Sequence, residues 1–256
     1  MIKKPRTISV SSENCSNGNG NHIQNLILLS LPQKELDTLL PKLEFVRLGI
    51  HHVLHEVGET IKSGYFINTG IMSVLAVQPD GKSVEIGLVG REGFVGLPLL
   101  VGYSSSPARI VTQADCTAYR CSADVLRIVV KRCPLLEQQL HRFGHRMAMQ
   151  TAQIAACNLF HDVEERLARW ILMTGDRVIG SHLSLTQDFL GQMLGTRRSS
   201  VTVAAGVFQK AGVISYKRGD ITILDRERLQ DAACDCYSLM QKQLEDWDAE
   251  SKLASG

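Results

Sequence analysis

The stretch SLTQDFLGQMLGTRRSSVTVAAGVFQKAGVISYKRGDITIL, residues 184–224, constrains the fold more than any other. It reads as helix, tight turn, helix, hairpin. Thr186 is a good N-cap, Asp188 puts a carboxylate in the first turn, and Leu190, Met193 and Leu194 supply a buried face before Gly195 ends the helix. In the second helix Val201, Ala204, Ala205 and Phe208 form the i, i+3, i+4, i+7 set of a packed face. That leaves Arg198, Ser199, Thr202 and Gly206 pointing outward. Strands over Val213–Tyr216 and Ile221–Leu224 are expected to flank Lys217-Arg218-Gly219-Asp220 as the tip of a wing.

The remainder of the chain divides by pattern. Residues 1–24 include the polar run SSENCSNGNGN, which cannot bury enough apolar surface to offset the entropy of ordering, and they are read as a flexible arm. From residue 25 to 132 short alternating segments and frequent glycines, with Pro79-Asp80-Gly81 as a hairpin turn, predict an antiparallel β-roll. After Pro134 the period becomes helical, and residues 133–175 are read as a long helix and its connector. Leu136, Leu140, Phe143, Met147, Gln150, Ile154, Cys157 and His161 recur in steps of four and three, the spacing of a coiled-coil seam. This predicts pairing with a second copy through that stripe, in preference to packing on the β-domain. Residues 176–229 form the winged helix-turn-helix and 230–256 an acidic C-terminal helix or tail, so the fold class is α+β.

Charge is distributed accordingly. The chain of 256 residues carries a formal net charge of +2, yet residues 186–223 hold five bases against two acids, and residues 225–252 hold eight acids against four bases. Positive charge concentrated in the reader segment suits a polyanion. Arg197 and Arg198 can bond phosphate or the edge of guanine, the hydroxyls of Thr186, Thr196, Ser199, Ser200 and Thr202 and the amide of Gln187 can bond phosphate or base edges, and the helix N-terminus attracts phosphate. Lys217 and Arg218 would lie on the backbone. Double-stranded DNA is the expected partner.

From about Asn25 to Leu229 the chain resembles the Crp/Fnr family of bacterial transcription regulators. The residues carrying the resemblance are Val57-Gly58-Glu59 and Asn68-Thr69-Gly70-Ile71-Met72-Ser73-Val74 in the β-roll, Glu165-Arg166-Leu167-Ala168 after the long helix, and Leu185-Thr186-Gln187 to Gly195 with Arg197-Arg198-Ser199-Ser200-Val201-Thr202. It implies a homodimeric DNA-binding regulator with RNA polymerase and a small-molecule effector as further partners. Members that bind cyclic nucleotides carry Gly-Glu for the ribose and Arg-Ser or Arg-Thr for the phosphate, where this chain has Gly96-Leu97 and Ser106-Pro107. A cyclic phosphate needs a guanidinium or an equivalent donor there. Arg109, three residues on, should face the other side of its strand. Cyclic-nucleotide binding of the usual kind is therefore not expected. An effector pocket would draw on Arg91, Glu92, Gly96, Leu97, Ser106 and Arg109. In the reader, the glutamate that follows the first arginine is Ser199 here and a later arginine is Val203, so the usual half-site is in doubt.

Other chemistries lack their residues. No nucleophile elbow, phosphate-binding loop or paired-acid motif supports an enzyme. Seven cysteines without regular spacing, and no apolar run near the ~20 residues of a membrane span, point to a reducing cytoplasm without membrane contact. The iron-sulfur sensors of this family use several N-terminal cysteines, and only Cys15 lies there. Cys116 and Cys121 are read as core, at least one of them, and Cys234 and Cys236 as small hydrophobes. His141 with His145, and His51, His52 and His55, are read as ordinary polar positions, so no metal or cofactor is expected. The alternative class is a ligand-sensing module that signals through its long helix with degenerate DNA binding.

Overall fold

The computed structural model describes residues 21–178, 182–217 and 219–253. Arg218 and most of the expected arm lie outside them. The last residues of that arm, 21–24, are not loose. Asn68 accepts from the Gln24 amide at 2.7 Å and donates to the His22 carbonyl, while Tyr119 donates to the Asn21 carbonyl. With these backbone groups bonded and Ile23 buried, these residues join the β-roll. Two short helices follow, α1 (Leu26–Leu29), N-capped by Asn25, and α2 (Gln33–Leu39).

The β-roll consists of two four-stranded antiparallel sheets. One has the order β1 (Glu44–Leu48), β8 (Cys116–Ser122), β3 (Ser63–Thr69), β6 (Phe94–Val95); the other has β2 (Val53–His55), β7 (Arg109–Thr112), β4 (Met72–Val77), β5 (Ser83–Val89). The β4–β5 hairpin turns at Gly81, whose φ of 83° lies in the left-handed region that favours glycine. Cys116 and Cys121 are both buried.

Helix α3 (Ala123–Val130) leads to α4 (Pro134–Phe160), 27 residues and about 40 Å long. Pro134 sits at its first turn, and the Glu35 carboxylate accepts from the amides of Leu135 and Leu136 at 3.1 and 2.9 Å, an anion where the helix dipole favours one. The stripe expected to meet a second copy faces inward instead. Leu136, Leu140 and Phe143 are buried in the β-roll core, Ile154 and Cys157 are buried too, Met147 packs beside Gly87, and Gln150 accepts from the Leu88 amide at 2.7 Å. The physical reason is that β5 and its neighbours present an apolar face of their own, and a helix tethered to it covers that face first. What α4 leaves exposed is a second stripe, His141, His145, Ala148, Ala152, Ala155 and Leu159, also in steps of four and three.

An Asp162/Glu165 capping box starts α5 (Val163–Gly175), which is buried on nearly every side. The winged helix-turn-helix packs around it: β9 (His182–Ser184), α6 (Gln187–Leu194), α7 (Arg198–Lys210), β10 (Ile214–Lys217) and β11 (Asp220–Ile223), the strands in the order β10-β11-β9. Then come α8 (Arg226–Asp231) and α9 (Cys236–Leu253). The apolar core does not stop at Gly175. Ile71, Leu75, Leu88 and Val111 of the β-roll share one continuous cluster with Trp170 and Ile171 of α5 and with Phe189 and Met193 of α6.

Candidate nucleic-acid interface and effector cavity

The reader is built from local signals. Thr186 N-caps α6, its hydroxyl accepting from the Phe189 amide at 3.2 Å. Gly195 ends the helix with φ of 59°, and Gly191 lets α7 approach closely, because a Cβ there would lie 3.1 Å from the Thr196 carbonyl. Val201, Ala204, Ala205 and Phe208 are buried. Arg197, Arg198, Ser199, Thr202 and Lys217 are exposed, while Gln187, Thr196 and Ser200 are half-buried. The observed strands β10 and β11 are displaced by about one residue from those expected, since the Leu224 and Asp225 amides turn back to the Val213 carbonyl.

Two contacts hold the outer face in the free chain. Arg198 pairs with Asp188 at 3.2 Å, and Thr202 donates to Gln187 Oε1 at 2.7 Å. Both members of the ion pair are exposed, so the pairing is worth about 0–1 kcal/mol and holds Arg198 only loosely. Arg197 N-caps α7 without a side-chain bond. The first-turn N–H groups therefore keep their pull on an anion. Val203 and Val207 lie on the same outer side, 66% and 43% exposed.

A cavity of about 730 Å³ opens between the β-roll and α4. Gly96, Leu97 and Ser106 line it together; Arg91, Glu92 and Arg109 do not. Arg109 is drawn to Glu56 at 2.8 Å, its strand alternation turning it away from the cavity. The Arg91 side chain is exposed and its carbonyl accepts from Leu26. Glu92 pairs with Arg177 at 2.7 Å, an ion pair that ties the β-roll to the end of α5. Among the described residues no arginine or lysine lines the cavity, and its walls are mainly aliphatic, with Val89, Val95, Leu100 and Leu140 among them. His55 is buried there with no partner for Nε2 among the described residues, and burial lowers its pKa despite the nearby Glu59. His141 and Ala148 line the cavity and also belong to the exposed stripe of α4.

The sensor and reader meet at a second buried acid. Glu85 on β5 accepts from Trp170 Nε1 at 2.8 Å, from Ser73 at 2.7 Å and from Gln113 at 2.8 Å. Burial raises its carboxyl to about 7. On the reader side, the His51 ring rests on Phe189 at 5.2 Å.

Residues 165–232 match the Crp-like helix-turn-helix domain and residues 45–133 the cyclic nucleotide-binding domain. The chain belongs to the Crp/Fnr family of transcription regulators. It is 26% identical over 185 residues to a CRP-like cAMP-activated global transcriptional regulator of Mycobacterium tuberculosis, covering 70% of this chain and 83% of that protein. It is 28% identical over 218 residues to an anaerobic regulatory protein of Haemophilus influenzae, covering 79% and 81%. Its fold is similar to that of FixK2 from Bradyrhizobium japonicum, with a TM-score of 0.65 at 14% identity over 75% of this chain and 98% of that one. The c-di-GMP responsive global regulator CLP of Xanthomonas campestris gives 0.63 at 16% identity, over 75% and 99%. Like other Crp/Fnr proteins, this one is a DNA-binding transcription regulator. No helix among the described residues is long and apolar enough to cross a membrane.

Sequence reasoning missed one group in this Crp/Fnr regulator. Cys157 and His161 at the end of α4 and Cys234 and Cys236 before and at the start of α9 bring their donor atoms within 4.8 Å of one another. The Cys157 thiol is pulled down to about 5, first by its hydrogen bond with Cys234, whose own thiol is pushed up. The spacings Cys157-x-x-x-His161 and Cys234-x-Cys236 were the only local trace, with 72 residues between them.

Proposed function

We propose that the protein works in the cytoplasm as a homodimer, reads a two-fold symmetric DNA site through α7, and answers to a mainly apolar small molecule held in the β-roll cavity. The outer face of α7 carries this reading. Arg198 and Ser199 reach base edges, with Thr202 and Val203 beside them, an exposed valine suiting the thymine methyl group. Arg197, Ser200, Thr196, Thr186, Gln187 and the wing residues Lys217 and Arg218 hold phosphates. RNA polymerase is the expected recipient of the signal.

The dimer forms through the exposed stripe of α4, from His141 to Leu159, which has coiled-coil spacing and small residues that allow close approach. Because His141 and Ala148 also line the cavity, an effector and a second copy meet at the same residues. An aliphatic cavity without a guanidinium disfavours a cyclic phosphate, while the Nε2 of His55 offers one hydrogen bond.

The test is selection of genomic fragments by the purified protein at moderate salt, alone and with cell extract, followed by sequencing. Enrichment of a palindrome with half-sites one helical turn apart is the expected result. Affinity should fall steeply with added salt through counterion release. No enrichment under either condition overturns the reading and favours a ligand module with degenerate DNA binding.

A further inference from the structure

Four side chains from distant parts of the chain converge where α4 gives way to α5. Cys157 lies in the last turn of α4 and His161 caps it; Cys234 comes from the segment that joins α8 to α9, and Cys236 opens α9. Cys157 Sγ and Cys234 Sγ are 3.4 Å apart, Cys236 Sγ and His161 Nδ1 are 3.5 Å apart, and all four donor atoms lie within 4.8 Å of each other. We propose that Cys157, His161, Cys234 and Cys236 bind one tetrahedral divalent ion of the zinc class.

The distances favour a single ion. Zinc-sulfur bonds of ~2.3 Å and zinc-nitrogen bonds of ~2.0 Å in a tetrahedron place the donors roughly 3.5–3.8 Å apart, close to the separations found. An iron-sulfur cluster, with several metals between its thiolates, needs a wider set. A disulfide between Cys157 and Cys234 would leave Cys236 and His161 gathered without purpose.

The surroundings supply a second, independent observation. Arg166 and Arg169 are buried, 9% and 2% exposed, and the Nε of each has no hydrogen-bond partner among the described residues. Arg166 donates to the Leu194 carbonyl and Arg169 to the Met173 sulfur, neither of which is a countercharge. The field of Arg166 acts on Cys157 and Cys234, and that of Arg169 on Cys157. Three thiolates around a divalent ion carry one net negative charge, which such arginines can offset. Gln153 Nε2 donates to Cys236 Sγ at 3.0 Å, an outer hydrogen bond of the kind that orients a ligating sulfur.

Binding needs no redox partner. The ion accepts lone pairs from three sulfurs and from His161 Nδ1, up to three thiol protons leave to solvent, and no oxidation state changes. With four protein ligands the site has no open position for catalysis. Its effect is mechanical: it fastens the segment before α9 to the hinge between the sensor's long helix and the reader.

The experiment uses the full-length protein, reduced and stripped with a chelator, with cobalt(II) as the probe and zinc(II) as competitor. One equivalent of cobalt per chain should give the visible bands of a tetrahedral thiolate complex, and zinc should displace it. Cys157→Ser and Cys234→Ser should each weaken binding by ~100-fold or more, and Gln153→Ala by ~10-fold. Cys121→Ser should not alter it. Exchange of the α9 amides should rise when the metal is removed. The proposal is overturned if the reduced wild-type protein gives no thiolate bands, or if folded Cys157→Ser binds as tightly as wild type. None of these readouts uses DNA, so they stand or fall apart from the regulatory reading.

Discussion

Helices α4 and α7 each bury one apolar stripe and leave another side open, but the open sides differ in kind. On α7 it carries Arg198, Ser199 and Thr202, charge and hydroxyls that find partners in phosphate and base edges. On α4 it carries His141 and His145 at one end and then Ala148, Ala152, Ala155 and Leu159, apolar groups with nothing to offer a polyanion. The first is suited to DNA and the second to a copy of itself. A helix announces its partner by the side its own chain does not use.

Four changes would break or sharpen that contrast. Leu140→Glu, on the inner face of α4, buries a charge without a partner and should cost about 4–5 kcal/mol, unfolding much of the protein rather than separating subunits. Denaturant melts would show it, and a folded monomer would put the inner stripe back at the interface. Ala152→Glu, on the outer face, should leave the melt within about 0.5 kcal/mol of wild type while weakening self-association roughly 100-fold, about 3 kcal/mol. Ultracentrifugation reads the second quantity, and an unchanged dimer would sink the assignment.

The third change tests the join between the β-roll and the reader. Because the folded Glu85 titrates near 7, above its ordinary value of 4.5, its contribution to stability is complete below about 4.5 and is lost as pH rises through about 7. Glu85→Gln should remove that slope, on the order of 2–3 kcal/mol between pH 4.5 and 8. Melts across that range decide it. Smallest, Arg198→Ala should cost about 1–3 kcal/mol on a selected site and much less on random DNA; equal losses on both would make it a phosphate contact only.

What could be read beforehand follows the range of the interactions. The reader was legible because its signals are local: a Thr186 cap, a glycine at the turn, a four-residue buried stripe. The inward face of α4 was not, since spacing tells that a stripe is apolar without telling what covers it, and the cover lies on β5 some 60 residues earlier. Gly96, Leu97 and Ser106 were placed together by resemblance, whereas Arg91, Glu92 and Arg109 were placed by nearness in sequence: Arg109 answers instead to Glu56 and Glu92 to Arg177, and the Arg91 side chain is exposed. Of the Cys/His group, no pattern along the chain could bring Cys157 to Cys234.

The single apolar cluster running from Ile71 through Trp170 to Met193 bears on how such a regulator can be rebuilt. Regulators of two domains invite grafting, in which one protein's sensor is spliced to another's reader. Here a splice at Gly175 would sever a shared interior, and each half would carry a raw apolar wound where the other had been. Any workable chimera has to exchange the facing surfaces of β5 and α6 together with the reader, so the smallest portable unit of this protein is larger than its DNA-binding domain.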